Sequence, residues 1–210
     1  LVSIPIIVWG SQLVLKLMDR FPIIILLGGM LLGWIAGTMA QSDPALVAYI
    51  PQEPMSNLDP SFTIGSQLIE PIRYKLGLSR KDARAKALDL LRLVEIADPE
   101  RTMELHPHEI SGGMAQRVLI AGAMSCDPSL LIADEPTTAL DVTVQAEVLE
   151  LLRKLQRERG LGVLLVTHNL GVVADLCDTV AVMQHGLIVE RGTVGDVFDH
   201  PQDPYTLKLM

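Results

Sequence analysis

The run Leu130-Leu131-Ile132-Ala133-Asp134-Glu135-Pro136 constrains the fold more than any other stretch of the chain. Four consecutive apolar residues leave no polar face to turn toward water, so a strand built from them must be buried on both sides. It ends in two carboxylates and a proline. Gly162-Val163-Leu164-Leu165-Val166-Thr167 follows the same pattern and ends at His168. Between the two runs, Val142–Arg159 has a helical apolar period, and Gly160 stands where such a helix stops. Strand, helix, strand with uninterrupted apolar strands predicts an α/β fold with a parallel sheet covered on both faces. Ligands of such sheets gather at the carboxyl ends of the strands. Asp134, Glu135 and His168 all fall there.

Other elements follow from the same periodicities. Leu46–Pro51 predicts a further buried strand. Ser79–Ile96 predicts an amphipathic helix with Ala87, Leu88, Leu91 and Val94 on one face. Ser111 is suited to cap a helix that runs from Gly112-Gly113 to about Met124. Asp178–Gln184 and Leu187–Gly192 predict two strands joined at His185-Gly186.

Several residues are candidates for chemistry. Asp134 is placed to hold Mg²⁺, directly or through water, beside the β- and γ-phosphates of a nucleotide. Glu135 is placed to orient or deprotonate an attacking water, and His168 to stabilise a γ-phosphate or that water. Gln52, after the first strand, offers a neutral amide that reaches a metal without adding charge. Ser111-Gly112-Gly113 offers a hydroxyl and the free N–H groups of a helix start, which attract anions. Taken singly, each has a plain alternative: a solvated acid pair, a surface histidine, a loop amide, an ordinary turn. His106 and His108 flank Pro107 in a loop, where a metal pair is the less economical assignment. Cys126 and Cys177 have no metal-like spacing and predict reduced thiols without a disulfide.

Together these residues resemble the ATP-binding-cassette (ABC) ATPase family. Gln52 matches its Q-loop, Ile110–Met114 its signature motif, and Leu130–Pro136 its Walker B segment with the catalytic glutamate. Ala139–Asp141 matches the D-loop and His168 the switch histidine. The resemblance implies catalytic roles for Glu135 and His168 and a metal role for Asp134 and Gln52. It implies nucleotide contacts from Gln52, Ser111, Gly112, Gly113, Met114 and Asp141. Its cofactors are ATP and Mg²⁺. Pro51–Pro60, Pro107–Arg117 and the tail from His200 are similar to the ATP-binding subunits of oligopeptide, dipeptide and nickel importers. Such subunits couple ATP hydrolysis to uptake, pair with a second ATPase subunit and dock on two permease subunits at the cytoplasmic face of the bacterial membrane. A helical subdomain is expected over 57–125 and the Walker B, D-loop and histidine part over 126–210.

Residues 1–46 differ from the rest. They carry only four charges, Lys16, Asp19, Arg20 and Asp43, which cancel, so the net charge of −8 resides in 47–210. Phe21–Ala40 is twenty residues without a charge, enough for a helix to cross a bilayer. Gly29, Gly33 and Gly37 form a small-residue ladder of the kind that lets membrane helices approach closely. One or two membrane-type helices are therefore expected ahead of the α/β part. Ser3–Ala40 resembles the end of the TerC family of integral membrane proteins; no ionisable transport site lies within the apolar run. The acidic balance of the remainder opposes nucleic acid as the main partner. Starting at Leu1 rather than Met, the sequence is expected to be a piece of a longer reading frame.

No Gly-x-x-x-x-Gly-Lys-Ser/Thr phosphate loop occurs in the 210 residues: the six lysines are 16, 75, 81, 86, 154 and 208, and none follows a glycine. The fold expected is thus an incomplete P-loop NTPase. Very weak ATP binding is expected from the chain alone, with an exposed apolar sheet edge where a strand is wanting. Two readings stay open: a truncated importer ATPase joined to an unrelated membrane tail, by rearrangement or as a chimeric gene product, and a membrane-anchored interaction module that does not hydrolyse ATP. A chromosome-maintenance ATPase fits poorly, because 59 positions separate Gln52 from Ser111 with no heptad run between them.

Overall fold

The computed structural model describes residues 47–138 and 140–210. The expected membrane helices and the TerC-like segment, within 1–46, lie outside the described residues. Among the described residues no helix is long and apolar enough to cross a membrane.

Three strands form a parallel sheet in the order β1 (Val47–Ile50), β2 (Leu130–Asp134), β3 (Gly162–Val166). Val47 pairs with Leu130, and Leu130 with Gly162. The carboxyl ends of all three strands therefore sit side by side. Parallel neighbours need long crossovers. The crossover from β1 to β2 contains four helices: α1 (Ile64–Leu76), α2 (Arg80–Leu93), α3 (Pro99–Glu104) and α4 (Gly112–Ala123). The crossover from β2 to β3 is α5 (Val142–Arg159).

Local chemistry sets the helix ends. Thr63, Ser79, Asp98, Ser111 and Asp141 cap α1 to α5, each accepting from a backbone N–H of the first turn. Gly77 and Gly160 end α1 and α5 in the left-handed conformation. Helix α2 stops at Leu93, short of the Ile96 expected from its pattern. Glu95 takes a left-handed φ of 61°, Ile96 N–H donates to Leu91 O, and Glu95 N–H to Arg92 O. That is a Schellman ending without glycine. The buried face of α2 is Ala83, Ala87, Leu90 and Leu91, and the expected Leu88 is only half-buried.

A single core joins the sheet to these helices: Ile50, Leu131 and Ala133 from the strands, Ile64, Ile72, Leu91 and Ile120 from the crossover, Leu152 and Leu155 from α5. Within the unit of residues 47–169, the described helices bury Ile50, Leu131 and Ala133 of the sheet. On β3, Leu164 is 51% and Val166 48% exposed. β3 also pairs with β2 alone among the described strands, leaving its other edge without a described partner.

Residues 47–169 form one compact unit, and 170–210 belong to another. The second contains α6 (Leu170–Leu176), an antiparallel hairpin of β4 (Thr179–Gln184) and β5 (Leu187–Thr193), then α7 (Val194–Asp199) and α8 (Pro204–Leu209). The hairpin turns at His185 and Gly186, with φ of 49° and 82°. Positive φ at both positions is what a two-residue type I′ turn requires.

Candidate functional site

Glu135 is the hub of the candidate site. It directly follows β2, and its backbone N–H donates to Val166 O at 2.8 Å, extending the sheet ladder by one residue. Its φ of 42° is left-handed. A non-glycine residue there costs about 1–2 kcal/mol, and such strain gathers where the surrounding structure needs one side-chain direction.

Three groups hold the Glu135 carboxylate. Gln52 Nε2 donates to Oε2 at 3.0 Å and Thr138 Oγ1 donates to the same oxygen at 2.7 Å. His168 Nδ1 lies 2.7 Å from Oε1. The hydrogen bond from His168, and then that from Thr138, holds the Glu135 carboxyl below the usual carboxylate range. The carboxylate is 22% exposed, whereas the histidine ring is 74% exposed and free to meet something beyond it.

Asp134 ends β2. Its Oδ2 accepts from the Tyr49 hydroxyl at 3.0 Å. Burial, followed by the hydrogen bond to Asp134 and its charge, pushes the Tyr49 phenol up. Tyr49 and Thr138 are the two members that the sequence did not indicate. Thr138 lies three residues after Glu135 in a turn closed by Thr138 N–H to Glu135 O, a spacing that offered a signal. For Tyr49 the only signal was its place opposite Ile132 in strands whose pairing the sequence does not state.

The other candidates form a second group. Ser111 Oγ accepts from Met114 N–H, so its hydroxyl is engaged as the cap of α4. Asp141 Oδ1 accepts from Val144 N–H at 3.0 Å and caps α5. The two helix starts abut: a Cβ on Gly112 would stand 3.6 Å from Leu140 Cδ2, and one on Gly113 only 2.4 Å from Val144 Cγ1. The Met114 side chain packs half-buried against the core. Among the described residues no side-chain hydrogen bond links this group to Glu135.

The donor set suits Mg²⁺ in part. Gln52 spends its Nε2 on Glu135 and keeps its amide oxygen, and Asp134 keeps Oδ1. Two hard oxygen donors match an ion held by one or two protein ligands together with phosphates and water. An all-protein cage is not formed: no group of three or more His, Cys, Asp or Glu that could hold a metal occurs among the described residues. Nor does any described Lys or Arg form an ion pair with Asp134 or Glu135. Arg117 instead joins Glu147 and Glu95, Lys86 and Arg159 join Asp127, and Lys154 joins Glu95. These residues fit the metal and water side of a nucleotide site; they supply no cation for the phosphates.

The chain is similar to proteins and structures of one known family. The model of the ABC transporter family matches residues 31–138. A protein of Brucella melitensis whose name assigns it to peptide import as an ATP-binding protein is 55% identical over 159 residues, 76% of this chain and 47% of that one. The dipeptide transport ATP-binding protein DppD of Haemophilus influenzae is 48% identical over 164 residues, 78% of this chain and 50% of its own. This chain thus spans about half the length of the curated relatives it matches. Among solved structures, a dimeric post-hydrolysis state of the ATP-binding cassette MJ0796 with ADP and phosphate superposes with a TM-score of 0.62 at 30% identity, over 71% of this chain and 63% of that one. The fold is that of the P-loop NTPases of this group, and the chain belongs to the ABC transporter family, through its ATP-binding domain.

Proposed function

We propose that this chain supplies the Q-loop, signature and carboxylate part of an importer's ATP-binding subunit, coupling ATP hydrolysis to the uptake of a peptide. The observation that carries the proposal is the Glu135 carboxylate held at once by Gln52, Thr138 and His168. A carboxylate fixed from both oxygens, at the carboxyl end of a parallel strand, is pre-oriented to hold a water. Gln52 and Asp134 would hold Mg²⁺, which supplies charge neutralisation for the phosphates when bound. His168 stands at the open side of Glu135, where it would meet the terminal phosphate. Ser111, Gly112, Gly113, Met114 and Asp141 are assigned to the face that closes on a nucleotide held by a second ATPase subunit. The peptide substrate rests on the names of the relatives.

The partner surface is assigned to the helical segment after Gln52. Met55, Phe62, Tyr74 and Leu76 are exposed there. Two permease subunits at the cytoplasmic face of the membrane are the proposed partners. Unchanged permease association on replacing exposed Asn57 would count against this assignment. The boundaries at 46 and at 125 are proposed too. The ABC match begins at residue 31, inside the apolar run assigned to a TerC-like membrane segment, so residues 31–46 are claimed by both assignments.

The second reading, a membrane-anchored module that does not hydrolyse ATP, or a chimeric gene product, is favoured by the lack of a described cation beside the carboxylates. Isothermal titration of the purified chain with magnesium-ATP tests the phosphate side. Binding weaker than micromolar is expected from the chain alone, and micromolar affinity overturns that expectation. Stimulated hydrolysis on mixing with a complete ABC subunit separates the two readings, since the module would give none.

A further inference from the structure

Helix α4 begins with two glycines that differ in what surrounds them. A methyl group on Gly112 would make ordinary contact with Leu140. On Gly113 it would overlap Val144, with Cγ1 at 2.4 Å and Cβ at 3.7 Å. Gly113 lies within the helix and has no positive φ, so its backbone does not call for glycine. The space does. Val144 is β-branched and near the start of a helix, where one χ1 rotamer dominates, so its methyl group cannot easily swing aside. The helices would have to part by about 1 Å to restore ordinary contact.

That contact ties together the two caps. Val144 donates its N–H to Asp141, and Gly113 follows Ser111 by two residues, inside the turn that Ser111 caps. One turn further along both helices, Arg117 pairs with Glu147 at 3.0 Å while its other nitrogen donates to Val94 O. Close approach at one turn and an ion pair at the next fix the separation of α4 and α5.

We propose that Gly113 is a positioning residue: its missing side chain lets Val144 seat against α4, which sets the distance between Ser111 and Asp141. The effect on hydrolysis rests on the function proposed above; the packing does not. The competing account is that glycine is needed so that the backbone can approach a phosphate. Trimming Val144 discriminates, because it makes room for a methyl group at 113 without altering the backbone's approach to a ligand.

The test compares Gly113→Ala, Val144→Ala and the double variant in the full chain, by amide hydrogen exchange and by hydrolysis after mixing with a complete ABC subunit. Gly113→Ala is expected to speed exchange of the Val144 amide about tenfold and to lower stimulated hydrolysis about tenfold. The double variant is expected to return both to within about threefold of Val144→Ala. Exchange in the double variant as fast as in Gly113→Ala overturns the proposal. Recovery of exchange without recovery of hydrolysis also overturns it, in favour of a direct phosphate role. If the parent chain stimulates no hydrolysis, the proposed function fails while exchange still decides the packing. If Gly113→Ala does not fold, recovery of a folded double variant supports the proposal; a folded Val144→Ala beside an unfolded double variant overturns it.

Discussion

His168 Nδ1 stands 2.7 Å from Glu135 Oε1, the oxygen that Gln52 and Thr138 leave to it, since both of those donate to Oε2. Among the described residues, the histidine is thus the one hydrogen-bond partner of Oε1. Removing it should have an effect that removing either other partner does not reproduce.

The Glu135 carboxyl is held below its ordinary range, first by His168 and then by Thr138. His168→Ala should therefore raise its titration midpoint, and Thr138→Val should raise it less. A depressed folded-state value contributes stability above the unfolded value, lost as pH falls through the folded one. Any stability gap between parent and His168→Ala from this source should be present at neutral pH and close on acidification below the carboxylate range. Carbon-13 NMR titration of the glutamates reads the midpoint directly. An unmoved Glu135 midpoint in His168→Ala would show that the bond does not hold the carboxylate in solution.

Gln116, on α4, is fully buried, and neither its Nε2 nor its Oε1 has a partner. Leaving such groups unpaired costs about 1–3 kcal/mol. Gln116→Met keeps the length and removes both polar atoms. It should stabilise the chain by about 1 kcal/mol in urea unfolding. A loss of similar size would mean that the amide is satisfied in solution.

Asp141 and Ser111 cap their helices through one side-chain oxygen each. Asp141→Ala and Ser111→Ala should each cost about 1 kcal/mol, with Asp141→Asn close to neutral in stability. If Asp141→Asn unfolds as readily as Asp141→Ala, the carboxylate charge rather than the cap is what matters. Chemical denaturation of the three variants decides.

Leu164 and Val166 are half exposed on β3, which lacks a described partner along one edge. Such an edge invites association, and a charge on it interrupts pairing. Val166→Lys should reduce concentration-dependent light scattering while changing the unfolding midpoint little. Unaltered scattering would place the association surface elsewhere.

The elements were legible because their signals are local. Val142–Arg159 with Gly160 behind it is written in period, cap and stop, and the structure ends the helix there. Asp134, Glu135 and His168 stood at the ends of apolar runs, which any parallel sheet brings to one rim. The partners of those residues were not legible. Tyr49 reaches Asp134 because β1 lies beside β2 in one particular register, and Gly113 is confined by a valine 31 residues away. The left-handed backbone of Glu135 could not be foreseen, since its identity argues against it. For β3 the apolar run shows that cover is wanted, not which segment provides it.

The parallel register of the sheet also governs when the candidate site can exist. Gln52 and Glu135 are 83 residues apart along the chain, and Glu135 and His168 are 33 apart. No hairpin can bring them together, so each contact waits for a whole crossover to close, and contacts of that span are slow to form. During synthesis the helices of the first crossover can fold as they emerge, but the His168 contact to Oε1 cannot form until β3 has been made and has docked on β2. The cluster at Glu135 is accordingly complete only late in folding.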